Sequence, residues 1–359
     1  MLTEISFSCL RNLREQTFLP GGGVNLIVGR NAAGKTSVLE AIYLLSRGRS
    51  FRTTQLDSIV CSNGSSCWVR GRVQKSPNER NMLVAYQRSG RRNRFRIDGD
   101  DANGIAQLAK LLPVQVIQPD SHLLITGGPG YRRAYVDWGC FYSDSAFYPA
   151  WLQYRRSLSQ YNSALRQNSP TRVLESLEAQ LSSNGFQLAE SRQRYIDTLS
   201  QKLPTVAELW PDFDHSHIDY DQGWPADMAL DEALARQRER SLRIGSALVG
   251  AHRAELKILV DNLLLSQSFS RGHIKRVTYA LILAQVSVFE DTAAQSCCLL
   301  IDDVSSELDV NSLRSVADVL SHRQSQTFIT ALESDCFDAF EFAGRKMFHV
   351  EHGVLSELV

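Results

Sequence analysis

Gly29, four intervening residues and then Gly34-Lys35-Thr36 form the spacing with the plainest chemical meaning in this chain. Glycines at both ends allow a tight turn and a close backbone approach, with N–H groups turned inward toward an anion. The preceding VNLIV (24–28) reads as a buried strand, and Val38, Leu39, Ile42 and Leu45 recur afterwards with helical spacing. Strand, glycine loop and helix N-terminus in that order make a cradle for nucleotide phosphates. Its expected binding residues are Gly29, Arg30, Asn31, Ala32, Ala33, Gly34, Lys35, Thr36 and Ser37. In this reading Lys35 reaches the β- and γ-phosphates of ATP, and the Thr36 hydroxyl is a ligand to Mg2+.

Two further stretches carry related chemistry. CCLLIDDVSSELD (297–309) is an apolar strand ending in paired carboxylates. Asp302 at the strand end is placed to hold Mg2+, and Asp303 to orient or activate an attacking water. Lys35 and Asp303 are therefore the expected catalytic residues. Ser270-Arg271-Gly272 opens a helix whose apolar positions run Ile274, Val277, Leu281, Ala284 and Val288. A serine and a glycine at a helix start can receive a phosphate, although simple capping gives the same pattern. What singles this one out is its position, 32 residues before Asp302.

Elements that must position these residues occupy both ends of a 359-residue chain. The first part reads as mixed α and β, with MLVAYQRSGRRNRFRIDGD as two strands around a Ser-Gly turn. The middle is rich in Gln, Arg, Ser and Leu at helical spacing (Val173, Leu174, Leu177, Leu181, then Phe186, Leu188, Ile196, Leu199), and Pro204, Pro211 and Pro225 interrupt the stretch beyond it. Strand signals return in CCLLIDDV, QTFITAL and KMFHVEHGVLSEL. The expected fold is α/β, assembled from both chain ends (1–128 and 245–359) around a helical insertion (129–244).

Lys+Arg and Asp+Glu both total 39, so net charge neither demands nor excludes nucleic acid. No apolar run approaches the ~20 residues of a membrane helix, and the N-terminus lacks a signal-like basic start. Seven scattered cysteines without metal spacing read as free, mostly buried thiols of a reducing cytoplasm. Asp212, Asp214, His215, His217, Asp219 and Asp221 superficially suggest a metal cluster, but their alternation reads as a polar strand edge or loop. No metal is assigned there.

Taken together, FSCLRNLREQTF, GRNAAGKTSVLEAIYLLSRGRSFRT, GGPGYRRAYVDWGCF, LVGAHRAEL, SFSRGHIK and LIDDVSSELD closely resemble the RecF family of bacterial recombination mediators, relatives of the SMC proteins. The resemblance runs nearly the whole length. His273 stands where that family usually has glutamine, and Ala251 where it has proline; both bear on hydrolysis more than on ATP binding. The resemblance implies an ABC-type P-loop ATPase head with a helical arm. It also implies an ATP-dependent homodimer in which Ser270 and Gly272 act in trans, nucleotide contacts from Arg11 and Asn12, and Gln118 near Mg2+. Function by resemblance is a weak, DNA-stimulated ATPase gating binding to duplex, gapped and junction DNA in repair and replication restart. RecR and RecO are the implied protein partners, and the cytoplasm the location.

A transporter ATPase subunit fits less well, because the helical block between Lys35 and Ser270 is larger than a short coupling insert. An ATPase joined to a nuclease is disfavoured by the roughly 50 residues that follow Asp309. DNA contacts are expected from Arg88, Arg91, Arg92, Arg94 and Arg96, and from Arg236, Arg238, Arg240 and Arg243. The lack of an obvious aromatic platform favours backbone reading of duplex.

Overall fold

Alternating and continuous apolar runs set two kinds of sheet in the computed structural model, which describes residues 1–62, 64–75, 79–207, 216–293, 295–323, 325–340 and 345–358. Up to residue 121 the strands are β1 (Leu2–Ser8), β2 (Gln16–Phe18), β3 (Val24–Val28), β4 (Ser66–Val73), β5 (Met82–Ser89), β6 (Arg92–Ile97), β7 (Asp100–Asp101) and β8 (Val114–Ile117). Next come β9 (Ser216–Asp221), β10 (Glu255–Val260) and β11 (Leu263–Leu264). The last are β12 (Cys298–Ile301), β13 (Thr327–Ala331), β14 (Lys346–Glu351) and β15 (Val354–Leu358).

The chain separates into two units, Met1–Ser121 with Ala293–Val359, and His122–Thr292. In the first, β2-β1-β4-β5-β6-β7 form an antiparallel sheet, and β15-β14-β3-β13-β12-β8 a sheet parallel throughout except for the edge strand β15. Strands β3, β12 and β13 are buried along their whole length, as parallel strands covered on both faces are. β4 alternates instead: Cys67, Val69, Gly71 and Val73 point inward and Arg70 and Arg72 outward. Helix Lys35–Arg47 is buried nearly all round, its apolar side chains sharing one core with residues of both sheets. That enclosure fixes the helix N-terminus at the end of β3.

The second unit is mainly helical, with Pro129–Ser143, Phe147–Arg166, Thr171–Ala207, Leu230–Ile244 and Arg271–Ala293 beside the antiparallel sheet β11-β10-β9. Its extent differs from the expected boundary at 244, because residues 245–292 pack with the helices before them. Arg132 pairs with Glu255 through two bonds (2.6 and 2.8 Å), and the Tyr135 hydroxyl donates to the Leu281 carbonyl (2.7 Å). Gln285 donates to both the Tyr135 carbonyl and the Tyr195 hydroxyl. Helix Thr171–Ala207 also runs through Pro204, which the sequence reading took as a break; Val173 and Phe186, counted on its apolar face, are exposed.

Cys9 and Cys61 form a disulfide where free thiols were expected. The Leu10–Val60 bridge and the Cys61 N–H bond to the Cys9 carbonyl (2.9 Å) hold the two backbones together there. Cys67, Cys140, Cys297 and Cys298 are buried free thiols. Asp212, Asp214 and His215 lie outside the described residues, and among those described no cluster of three or more His, Cys, Asp or Glu side chains is arranged to hold a metal. No described helix is long and apolar enough to cross a membrane.

Candidate functional site

The loop between β3 and helix Lys35–Arg47 is held from three sides. Behind it, a Cβ at Gly29 would collide with the Val350 carbonyl, so the β14 strand excludes any other residue there. Gly34 (φ 125°), the helix N-cap, has a backbone that L side chains rarely adopt, and a Cβ would also press on Leu13. The turn between β14 and β15 adds a bond from the Gly353 N–H to the Ala33 carbonyl (2.9 Å). Asn12 donates to the Ala32 carbonyl (2.7 Å) and accepts from the Ser37 hydroxyl (3.0 Å), tying the loop to the first turn of the helix.

Lys35 is buried and its ammonium donates to the carbonyls of Gly29 (2.6 Å) and Arg30 (3.2 Å). Burial lowers its pKa from the ordinary lysine value, opposed by the carboxylates of Asp303 and Asp302. The next residue, Thr36, donates its hydroxyl to Asp302 Oδ1 (3.0 Å). The two residues are 266 positions apart in sequence, and the parallel order β3-β13-β12 brings them together. Burial holds the Asp302 carboxyl above the usual carboxylate range, against bonds from Thr330 and Thr36. Asp303 sits in the left-handed region (φ 53°, ψ 51°), and its Oδ2 accepts from the Ser306 hydroxyl (2.8 Å).

Gln118 and Asp302 leave the adjacent strands β8 and β12 at the same level, since Ile117 pairs with Ile301. The Asp302 N–H also bonds the Ile117 carbonyl (2.8 Å). Arg11 is engaged elsewhere than the loop: it grips the buried Glu40 through two bonds of 2.9 Å and donates to the Ser58 carbonyl (2.8 Å). Ser270 and Gly272 belong to the other unit, where the Ser270 hydroxyl bonds His273 Nδ1 (2.7 Å) at the start of helix Arg271–Ala293.

Sequence reasoning missed several contributors. Glu40 also accepts from Ser50 and faces Arg52 (3.7 Å), joining the Arg11 turn, the loop helix and residues 50–53 into one network. A single carboxylate inside the apolar run VLEAIYLL was its signal. Thr330 and the β14–β15 turn left no local signal. Of the candidate DNA-contacting arginines, Arg88 is buried against Asp57 and Asn93, which removes it from any surface. Arg94 and Arg96 share Asp101, Arg236 pairs with Glu232, and Arg238 with Glu178 and Glu175. Arg91, Arg92, Arg240 and Arg243 are exposed.

Thr36 and Asp302 present hard oxygen atoms 3.0 Å apart, the donor type that suits Mg2+. The loop, lysine and helix N-terminus suit the phosphates of a nucleotide. The site can therefore hold a nucleotide with Mg2+ and place a carboxylate beside it.

Comparison with known proteins bears on the same site. The model of the RecF/RecN/SMC N-terminal domain family matches residues 1–356. The DNA replication and repair protein RecF of Thioalkalivibrio sulfidiphilus is 38% identical, over 99% of each chain. That of Photorhabdus laumondii is 35% identical, over 98% of this chain and 97% of the other. A solved structure of the recombination mediator RecF with ATP, in the RecFOR pathway, aligns with a TM-score of 0.88 and 26% identity, covering 100% of this chain and 97% of that one. An SMC head bound to the C-terminal winged-helix domain of ScpA shares the fold at a TM-score of 0.60 and 14% identity, over 99% of this chain and 96% of that one.

Proposed function

The chain belongs to the RecF family, within the RecF/RecN/SMC group, and we propose that it is an ATP-gated DNA-binding protein of recombinational repair and replication restart. The observation that carries the reading is the Thr36–Asp302 pair, with Lys35 and Asp303 beside it, in a fold whose relative was solved with ATP.

In this reading the N–H groups of residues 29–37 bind the phosphates, and Lys35 exchanges its bonds to Gly29 and Arg30 for bonds to phosphate oxygens. Thr36 and Asp302 hold Mg2+, with Gln118 near it. When bound, the ion withdraws charge from the phosphates. Asp303, steadied by Ser306, accepts a proton from the attacking water. Asn12 keeps the loop in shape, and Arg11 couples it through Glu40 to residues 50–53.

One cradle encloses the nucleotide from one side. Ser270 and Gly272 of a second copy cap the γ-phosphate, so that ATP joins a two-fold homodimer and ADP, lacking that phosphate, releases it. Hydrolysis is slow and stimulated by DNA, acting as a switch on binding to duplex, gapped and junction DNA. Exposed arginines such as Arg91, Arg92, Arg240 and Arg243 supply backbone contacts, RecR and RecO are partners, and the protein works in the cytoplasm to help load recombinase at gaps. Light scattering tests the gate: a monomer with ADP and a dimer with a slowly hydrolysed ATP analogue are expected. Ser270→Arg should bind ATP yet stay monomeric. A wild type that remains monomeric with the analogue would overturn the reading.

A further inference from the structure

We infer that Thr330 is a positioning residue for the two carboxylates of this site, an inference that rests on the nucleotide reading above. Thr330 lies near the end of β13, fully buried, between β3 and β12. Its partner on β3 is Ile27, and it lies one residue beyond Ile329, which pairs with Ile301. The parallel register therefore delivers its side chain beside Asp302.

The hydroxyl makes two bonds of opposite sense. Its oxygen accepts from the Asp303 N–H (2.8 Å), and its proton goes to Asp302 Oδ1 (2.8 Å). A hydroxyl has one proton to give, so the backbone N–H on one side directs that proton to the carboxylate on the other. The first bond anchors the residue that turns the chain through a left-handed conformation, unusual outside glycine, directly after the strand. That turn leads the Asp303 carboxylate toward Ser306 while Asp302 stays with Thr36. One side chain thus separates the two acids into a ligand and a base.

The second bond matters when the site fills. Asp302 Oδ1 receives hydroxyl protons from both Thr36 and Thr330. Thr36 is itself an intended Mg2+ ligand and would turn from Asp302 to a bound ion, whereas Thr330 belongs to β13 rather than to the loop and would keep its bond. It then holds the carboxylate rotamer that Thr36 no longer supports. Partners of this kind, bonded to a ligand rather than to the metal, commonly alter metal affinity strongly.

The test is titration of a fluorescent ATP analogue onto the full chain at graded Mg2+, and again with chelator, for wild type, Thr330→Val and Thr330→Ser. Valine keeps shape and loses the hydroxyl; serine keeps the hydroxyl. We expect the half-saturating Mg2+ concentration to rise about tenfold in Thr330→Val. It should stay near wild type in Thr330→Ser, and nucleotide affinity in chelator should be the same in all three. Thermal unfolding establishes that each variant is folded, and Thr330→Ala replaces the valine variant if that fails. A wild-type Mg2+ curve in the hydroxyl-free variant overturns the inference. So does a loss of nucleotide affinity that is equal with and without Mg2+, or a serine variant that behaves like valine. Wild-type nucleotide binding that ignores Mg2+ altogether would instead refute the site assignment.

Discussion

Replacing Asp302 with asparagine should make the empty protein more stable and the nucleotide site worse. Asparagine keeps the acceptor oxygen used by Thr36 and Thr330, so both bonds survive. What disappears is a charge that is only 6% exposed and is raised in pKa mainly by burial, with the neighbouring Asp303 adding to the effect. A native carboxyl with a raised pKa binds more protons than the unfolded chain does, so its contribution to stability falls as pH rises through that range. The variant lacks this loss. Its advantage should be absent in acid, where Asp302 is protonated, and grow toward neutral pH. A single stabilising replacement is commonly worth about 1 kcal/mol, or about 2–4 °C in Tm for a unit of this size. Scanning calorimetry of the nucleotide-free protein in chelator, from acid to neutral pH, measures it. Mg2+-dependent ATP affinity should meanwhile fall by at least about tenfold. A variant less stable than wild type at neutral pH, or one with unchanged Mg2+ dependence, would refute the reasoning.

Lys35→Ala removes charge-assisted contacts worth about 3 kcal/mol and should weaken ATP binding roughly 100-fold in a fluorescent-nucleotide titration. Lys35→Arg is expected to bind but not hydrolyse, because a planar fork does not replace a compact ammonium; unchanged affinity in the alanine variant would remove the loop from the account. Asp303→Asn should slow single-turnover hydrolysis by about 100-fold or more while ATP binding persists and the dimer lives longer. Normal turnover would move the role of base elsewhere, with Glu307 next to test.

The parts of the site legible in the sequence are those written in contiguous residues. Strand, loop and helix around Gly34 lie within about one helical length of each other, and the apolar CLLI before Asp302 declares its own strand end. Thr330 could not be read, because its meaning depends on which strands flank β13, and parallel register is set by packing across the chain. Arg88 was legible in principle: in β5 it shares an alternation with the buried Val84 and Tyr86, and taking it for a surface charge ignored that period. The two units divide the chain elsewhere than the expected boundary at 244 for a third reason. Residues 245–292 contain helix and strand signals that suit either unit, and only bonds such as Arg132–Glu255 and Tyr135–Leu281 assign them.

Central to the account is the proposal that hydrolysis needs two copies, with Ser270 and Gly272 serving the cradle of a partner. ATP turnover per molecule, measured across protein concentration alongside mass by light scattering, tests this most directly. The account predicts a specific rate that climbs with concentration and levels off when dimer formation is complete. A monomer that hydrolyses ATP at the same specific rate at every concentration would contradict it.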